Sequence, residues 1–175
     1  RAVAHAHQQL VIHRDIKPGN VLVQADDEPK LLDFGIAKLL ADDDVEQTLT
    51  VQRFASRSYA APERLRGEAV TTATDVYALG ALLFEMLTGT RYASVHEGDG
   101  APTPASRVAR QDSTGQSLPA TLLRGDLDAI VTRALAVEPE RRYATALSLA
   151  EDVHDHLAGK PISARPDGFA YRTSK

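Results

Sequence analysis

Asp15, Lys17 and Asn20 stand close together in the chain, and Asp33 follows thirteen residues after the Asn. A carboxylate, an ammonium and two hard oxygen donors in this order suit phosphoryl transfer. That reaction asks a protein for positioning and charge neutralisation more than for covalent chemistry. Asp15 can meet the proton of an attacking hydroxyl. Lys17, one extended repeat further on, can sit by the transferring phosphate. Magnesium takes oxygen ligands and usually only one or two from the protein; the Asn20 amide oxygen and the Asp33 carboxylate offer them. Taken singly, an Asp or Asn beside Gly or Pro is more often a turn residue. The joint spacing is what carries the functional reading.

The elements around these residues must bring them together. Val21-Leu22-Val23 reads as a short strand, Gln24 to Pro29 as a polar turn and Lys30-Leu31-Leu32 as a second strand. A hairpin of that length places Asn20 and Asp33 side by side at its open end. Arg1 to Leu10 reads as the last turns of a helix feeding a short strand at Val11-Ile12. Ile36 to Ser58 is polar, with a solvated acidic run at Asp42-Asp43-Asp44. Thr71-Thr72 offers an N-cap for a helix from Ala73 to Leu87, apolar nearly all round and so expected at the centre, with Gly89 ending it. Tyr92 to Gly125 is rich in Gly, Pro, Ser and Thr and reads as loop with one short helix. Asp126 is expected to cap a helix through Ala136, with Leu127, Ile130, Val131, Ala134 and Leu135 on one face, broken by Glu138-Pro139-Glu140. Thr145 to Leu157 is the last helix, stopped by Gly159 and Pro161. Ala164 to Lys175 is a mildly basic tail.

The 175 residues suffice for one domain with a real core. There is no Cys, so disulfide and thiol chemistry are excluded. The formal net charge of -4 disfavours a nucleic-acid surface. The longest apolar stretch, Val76 to Leu87, carries Glu85 and is too short to span a bilayer. No signal peptide is visible, and the start at Arg1 inside a helix end is expected of a fragment. His5 and His7 read as helix-surface or satisfied core histidines without metal-ligand spacing.

His13-Arg14-Asp15-Ile16-Lys17-Pro18-Gly19-Asn20 and Asp33-Phe34-Gly35 together match the H-R-D-x-x-x-x-N and D-F-G signatures of protein kinases. The nine matched positions would each agree by chance roughly once in 20, so coincidence is on the order of one trial in 10^11. The chain resembles the C-terminal lobe of a bacterial, eukaryotic-like serine/threonine protein kinase, from its first helix to Gly159. Tyr59-Ala60-Ala61-Pro62-Glu63 looks like the kinase A-P-E segment, and Asp75-Val76-Tyr77-Ala78-Leu79-Gly80 like the start of the lobe's central helix. The implied fold is α+β: a protein-kinase-like, mainly α-helical lobe with a short β-hairpin carrying the catalytic and metal-binding loops, the N-terminal lobe being absent. The implied domain is 1–159, with 160–175 as tail or linker.

The resemblance implies ATP and Mg2+ or Mn2+ as cofactors and protein serines and threonines as substrates. Asp15 would be the proton acceptor, Lys17 would contact phosphate, and Asn20 and Asp33 would bind the metal. Leu22, Leu82 and Met86 match the apolar column beneath the adenine ring, a pattern that plain core packing also explains. His13 would pack against Phe34, Asp75 would hold the catalytic-loop backbone, and Glu63 would pair with Arg142. Arg14 would pair with a phosphorylated residue of the activation loop, for which Thr48 and Thr50 are candidates by position. Ser56 falls where the family has a substrate-seating Thr. The implied location is a cytoplasmic kinase domain; bacterial kinases of this type often carry a membrane anchor or sensor elsewhere.

Two departures matter. The chain has no G-x-G-x-x-G loop and no V-A-I-K lysine, which the family places upstream, so ATP has half a site and the fragment alone is expected to be inactive. The segment Phe54-Ala55-Ser56-Arg57-Ser58 also lacks the Gly usual there. A pseudokinase-like binding or docking module is the competing reading, disfavoured because all four chemical residues are kept. A small-molecule phosphotransferase is weaker still, since those relatives usually lack the long activation segment and the A-P-E.

Overall fold

The computed structural model describes residues 1–32 and 57–165, apart from 97, 99 and 113. Asp33, Phe34, Thr48, Thr50 and Ser56 lie outside the described residues. The elements in chain order are α1 (Ala2–Gln8), β1 (Val21–Val23), β2 (Pro29–Leu31), α2 (Pro62–Leu65), α3 (Thr72–Thr88), α4 (Ala105–Ala109), α5 (Ala120–Leu123), α6 (Asp126–Ala134) and α7 (Ala146–Leu157). Single 3-10 turns occur at Pro18–Asn20, Tyr92–Ser94 and Pro139–Arg141. Among the described residues the result is an α-rich body carrying one antiparallel hairpin.

Helix α3 is the axis. Its apolar residues run almost all round, and Val76, Ala81 and Phe84 are fully buried. Thr71 caps it: its hydroxyl accepts the Ala73 N–H at 3.2 Å, and its own N–H donates to Thr74 Oγ1 at 3.2 Å. Gly89 ends it in the left-handed region at φ 67°, donating its N–H to the Glu85 carbonyl at 2.8 Å. Helices α4, α6 and α7 pack against it. Gly80 permits the closest approach, because a Cβ there would lie 2.7 Å from the Cβ of Ala134 on α6.

Four local expectations are corrected. Val11-Ile12 is not a strand; α1 instead closes on itself, with Leu10 N–H bonded to the His7 carbonyl at 3.0 Å and Val11 N–H to the Ala6 carbonyl at 2.9 Å. That closure puts Leu10 in the left-handed region at φ 60°. The Tyr92–Gly125 stretch holds two helices, α4 and α5, each too short to show periodicity. Its anchors are tertiary: the Tyr92 ring meets Phe84 edge-on at 5.1 Å, and Asp128 takes the Ser106 N–H at 2.9 Å and hydroxyl at 2.6 Å. Gly125, not Asp126, is the N-cap of α6, which ends at Ala134. The buried Asp126 carboxylate accepts from Arg165 Nη1 at 3.1 Å and His156 Nδ1 at 3.4 Å.

The fourth concerns the segment after α7. Ile162 is buried in the core beside Val76, Ile130 and Tyr143. Asp152 receives the Ser163 and Ala164 N–H groups at 2.7 and 2.8 Å and the Tyr143 hydroxyl at 2.8 Å. Pro161 to Arg165 therefore lie against the body of the fold, not apart from it.

Gly80→Ala is expected to destabilise the protein by about 1–3 kcal/mol through overpacking against Ala134, seen as a lower midpoint in thermal unfolding. Leu10→Gly is expected to act the other way. Leu10 is 93% exposed, so no packing is lost, and relief of the left-handed backbone is worth about 1 kcal/mol.

Candidate active site

Within the loop from His13 to Asn20, the side chains on either side of Ile16 face away from it. Ile16 points inward and is buried with Val3, Ala78 and Ala146. Asp15 and Lys17, either side of it, meet at the surface, Lys17 Nζ lying 2.9 Å from Asp15 Oδ2. Asn20, on the 3-10 turn that follows, donates through Nδ2 to the Asp15 carbonyl at 2.7 Å and to Asp15 Oδ2 at 3.3 Å. With its amide hydrogens turned to Asp15, Asn20 keeps Oδ1 as an acceptor. The hairpin begins there. Val21 pairs with Leu31 and Val23 with Pro29. The Leu32 N–H donates to the Asn20 carbonyl at 2.8 Å, so the residue before Asp33 lies opposite Asn20.

The loop is held from beneath by Asp75 on α3, which is 1% exposed. Its Oδ2 accepts the His13 N–H at 2.8 Å and its Oδ1 the Arg14 N–H at 2.9 Å. Arg14 needs that hold, because it sits in the left-handed region at φ 67°. Its carbonyl also accepts from Arg64 Nη1. His13 is fully buried. Its Nδ1 accepts the Asp15 N–H at 3.3 Å, so the proton belongs on Nε2, which lies 3.1 Å from the Leu32 carbonyl oxygen. One imidazole thus ties the loop to the residue that follows β2.

A second brace lies behind the segment that begins at Tyr59. Arg142 reaches Glu63 with two parallel bonds, Nη1 to Oε1 at 2.8 Å and Nη2 to Oε2 at 2.7 Å. Its other donors go to the carbonyls of Ala136, Val137 and Ala73 at 2.7, 2.9 and 2.9 Å. Both side chains are buried, and every guanidinium N–H has an acceptor. Thr74 adds its hydroxyl to Glu63 at 2.9 Å. Burial pushes the Glu63 carboxyl up; the hydrogen bonds from Arg142, a backbone N–H and Thr74, with the Arg142 charge, outweigh it and hold Glu63 below its usual range. Tyr59, bordering the loop, donates to Glu85. Burial and then the Glu85 carboxylate push the Tyr59 phenol up to about 12, which keeps it a donor.

Asp15, Lys17 and Asn20 are in contact, and Asp75 and Glu63–Arg142 lie behind them. Leu82 packs against the Val3–Ile16 cluster, but Leu22 and Met86 are 53% and 73% exposed, so core packing does not account for those two. His7, Arg64 and Thr74 carry contacts that the sequence reading did not single out. His7 sits four residues after buried Val3 on one face of α1, which is the signal that could have found it. A concavity of about 1080 Å³ is lined by Arg1, α7 and the segment after it and holds none of the loop residues, while a much smaller one is lined by Arg14, Asp15, Ile16, Tyr59 and Arg64 among others. Loop geometry, not cavity size, marks this site.

Arg142→Leu strands the buried Glu63 charge and is expected to cost about 3–5 kcal/mol at neutral pH. A carboxyl held below its ordinary value contributes stability that is present above the unfolded value and is lost as pH falls through the folded one. In the variant Glu63 escapes by taking a proton. The gap between wild type and variant in urea unfolding should therefore narrow as pH falls through the carboxylate range, where Glu63 is protonated in the variant and still ionised in the wild type.

The geometry agrees with comparisons to known proteins. The protein kinase domain family model matches residues 1–156. Serine/threonine-protein kinase PknB of Mycobacterium tuberculosis is 38% identical over 164 residues, covering 94% of this chain and 26% of that protein. Its counterpart in Mycolicibacterium smegmatis is 37% identical over 175 residues, covering 99% and 28%. The crystal structure of the Mycobacterium tuberculosis PknI kinase domain superposes with a TM-score of 0.59 at 28% identity, covering 88% of this chain and 50% of that one. The chain thus spans about a quarter of the length of these curated relatives and half of the solved kinase domain. With the kinase signatures, the loop geometry and the family match in agreement, this chain belongs to the protein kinase family.

Proposed function

We propose that the chain supplies the catalytic loop of a serine/threonine protein kinase, which transfers the γ-phosphate of ATP to serine and threonine hydroxyls of proteins. The observation that carries this reading is the Asp15–Lys17–Asn20 constellation on a loop pinned to a buried carboxylate. Asp15 accepts the proton of the substrate hydroxyl. That oxygen bonds to the γ-phosphorus as the bond to the β,γ-bridging oxygen breaks, and ADP leaves. Lys17 offsets charge on the transferring group, and Asn20 orients Asp15 through its amide. A divalent metal, for which Mg2+ is the natural choice, would be held by the Asn20 amide oxygen and Asp33 and would neutralise phosphate charge.

Arg14 is read as the partner of a phosphorylated activation-loop residue, Thr48 or Thr50, and Ser56 as a substrate-seating hydroxyl. The catalytic domain is read as 1–159, with Pro161 to Arg165 packed back against it. Among the described residues no helix is long and apolar enough to cross a membrane. A pseudokinase reading loses force because Asp15, Lys17, Asn20 and Asp33 are all present.

In the full-length protein, Asp15→Asn is expected to cut radiolabelled phosphate transfer to a generic protein substrate by roughly 10²–10⁴-fold. Wild-type protein that transfers nothing in the presence of Mg2+ and ATP would sink the proposal. The 175 residues alone should turn over no ATP, because the Gly-rich cover and its lysine are not among them.

A further inference from the structure

We propose that Arg64 is a positioning residue for Asp15, acting on the peptide that joins Arg14 to Asp15; the proposal rests on reading the loop as a phosphoryl-transfer site. Arg64 lies on α2, 50 residues along the chain from Arg14 and outside the motifs that identify the loop. A peptide unit is a rigid plane, so a bond at each end fixes how it is turned. The Arg14–Asp15 plane has both. Its carbonyl accepts from Arg64 Nη1. Its N–H, which belongs to Asp15, donates to His13 Nδ1 at 3.3 Å. That second bond is long and joins neutral partners. The first has a charged donor, and charge-assisted bonds are roughly twice as strong as neutral ones. Arg64 is therefore the firmer of the two holds.

Asp75 does not duplicate it. Asp75 takes the His13 and Arg14 N–H groups, which lie before the Arg14 Cα. The rotation after that Cα is set by Arg64 and His13. It needs setting, because Arg14 is held at φ 67°, a left-handed conformation that strains a non-glycine residue. On the far side of Asp15, Asn20 Nδ2 holds the Asp15 carbonyl at 2.7 Å. The Cα of Asp15 thus sits between two peptide planes, one held by Asn20 and the other by Arg64. Turning either plane swings the carboxylate that accepts the proton. Misplacement of a reacting group by about 1 Å can cost on the order of 100-fold in rate.

Arg64 is itself well placed to transmit position. Its neighbour Glu63 is buried and fixed by two bonds from Arg142. Arg64 also shares the wall of a small cavity with Arg14, Asp15 and Tyr59. Helix α2 therefore connects the segment that begins at Tyr59 to the orientation of the proton acceptor. A displacement of that segment reaches Asp15 through one guanidinium.

The test compares Arg64→Met with Arg64→Lys in the full-length protein. The first keeps a long apolar stem and loses the donor; the second keeps a charged donor. Arg64→Met is expected to lower kcat by roughly 10–100-fold and to leave the KM for ATP little changed. Hydrogen exchange at the Asp15 amide should speed up, while the His13 and Arg14 amides, held by Asp75, keep their rates. Arg64→Lys should recover most of both losses. Unchanged exchange at Asp15 in a folded Arg64→Met protein overturns the proposal. Equal acceleration at all three amides also overturns it, because that marks a loop loosened as a whole. So does an Arg64→Lys variant no better than Arg64→Met. Exchange is read without enzyme activity, so failure here is distinguishable from failure of the kinase reading. Should Arg64→Met not fold, nitrogen-15 NMR of the wild-type guanidinium decides. Separate, slowly exchanging Nη1 and Nη2 signals support the proposal, and a single averaged signal ends it.

Discussion

The buried carboxylate of Asp75 is the constraint on which the rest of the site depends. It lies in the first turn of a helix whose other faces are apolar, so it has little access to water and must find donors in the protein. It finds them in the His13 and Arg14 N–H groups and the His7 ring. Those bonds are what a loop residue in the left-handed region requires to stay there. The chemistry-bearing residues thus inherit their place from the most buried helix of the fold. A surface loop of polar residues would otherwise be among the least ordered parts of a chain.

The same logic recurs in the second brace. Glu63 and Arg142 are far apart in sequence and meet inside the protein, where an unpaired charge would be prohibitive. Each guanidinium hydrogen is used, on the carboxylate or on carbonyls at the ends of α3 and α6. One side chain therefore supplies the segment after Tyr59, the start of the central helix and the end of α6 with a common anchor. Asp152 and Asp126 do comparable work in the segment after α7, where they hold Ser163, Ala164 and Arg165. Buried acids that organise backbone are the recurring device of this fold.

How much was legible in advance depended on length and on period. The central helix announced itself through a long apolar run, a Thr cap and a terminal Gly, and its ends agree with the structure to within a residue or so. The hairpin was legible because two short apolar runs flank a turn. Helices α4 and α5 were not, because five or four residues cannot display a 3.6-residue period. They exist because Tyr92, Ala105 and Leu123 have a core to enter. Asp126 carried the composition of a cap, but a neighbouring Gly with positive φ makes the turn and frees the carboxylate for Arg165. Pro161 to Arg165 looked like a tail because only Ile162 is large and apolar. What anchors the segment is a carboxylate on α7.

The order and identity of Asp15, Lys17, Asn20 and Asp33 are properties of the sequence, and the chemistry open to those groups follows from their functional groups alone. Residue type and spacing are what made phosphoryl transfer the reading to propose, since a carboxylate, an ammonium and hard oxygen donors have few joint uses. Tertiary structure decided which acid serves as scaffold and which is left to the loop's own side chains. Asp15 and Asp75 are the same residue type. One meets Lys17 near the surface, and the other is sealed beneath the loop with His7 and two backbone donors. Burial and the donors it brings within reach are long-range facts, created only when a helix packs against a loop some sixty residues away. No local pattern encodes them, which is why His7 reads as an ordinary helix residue until the fold places it against Asp75.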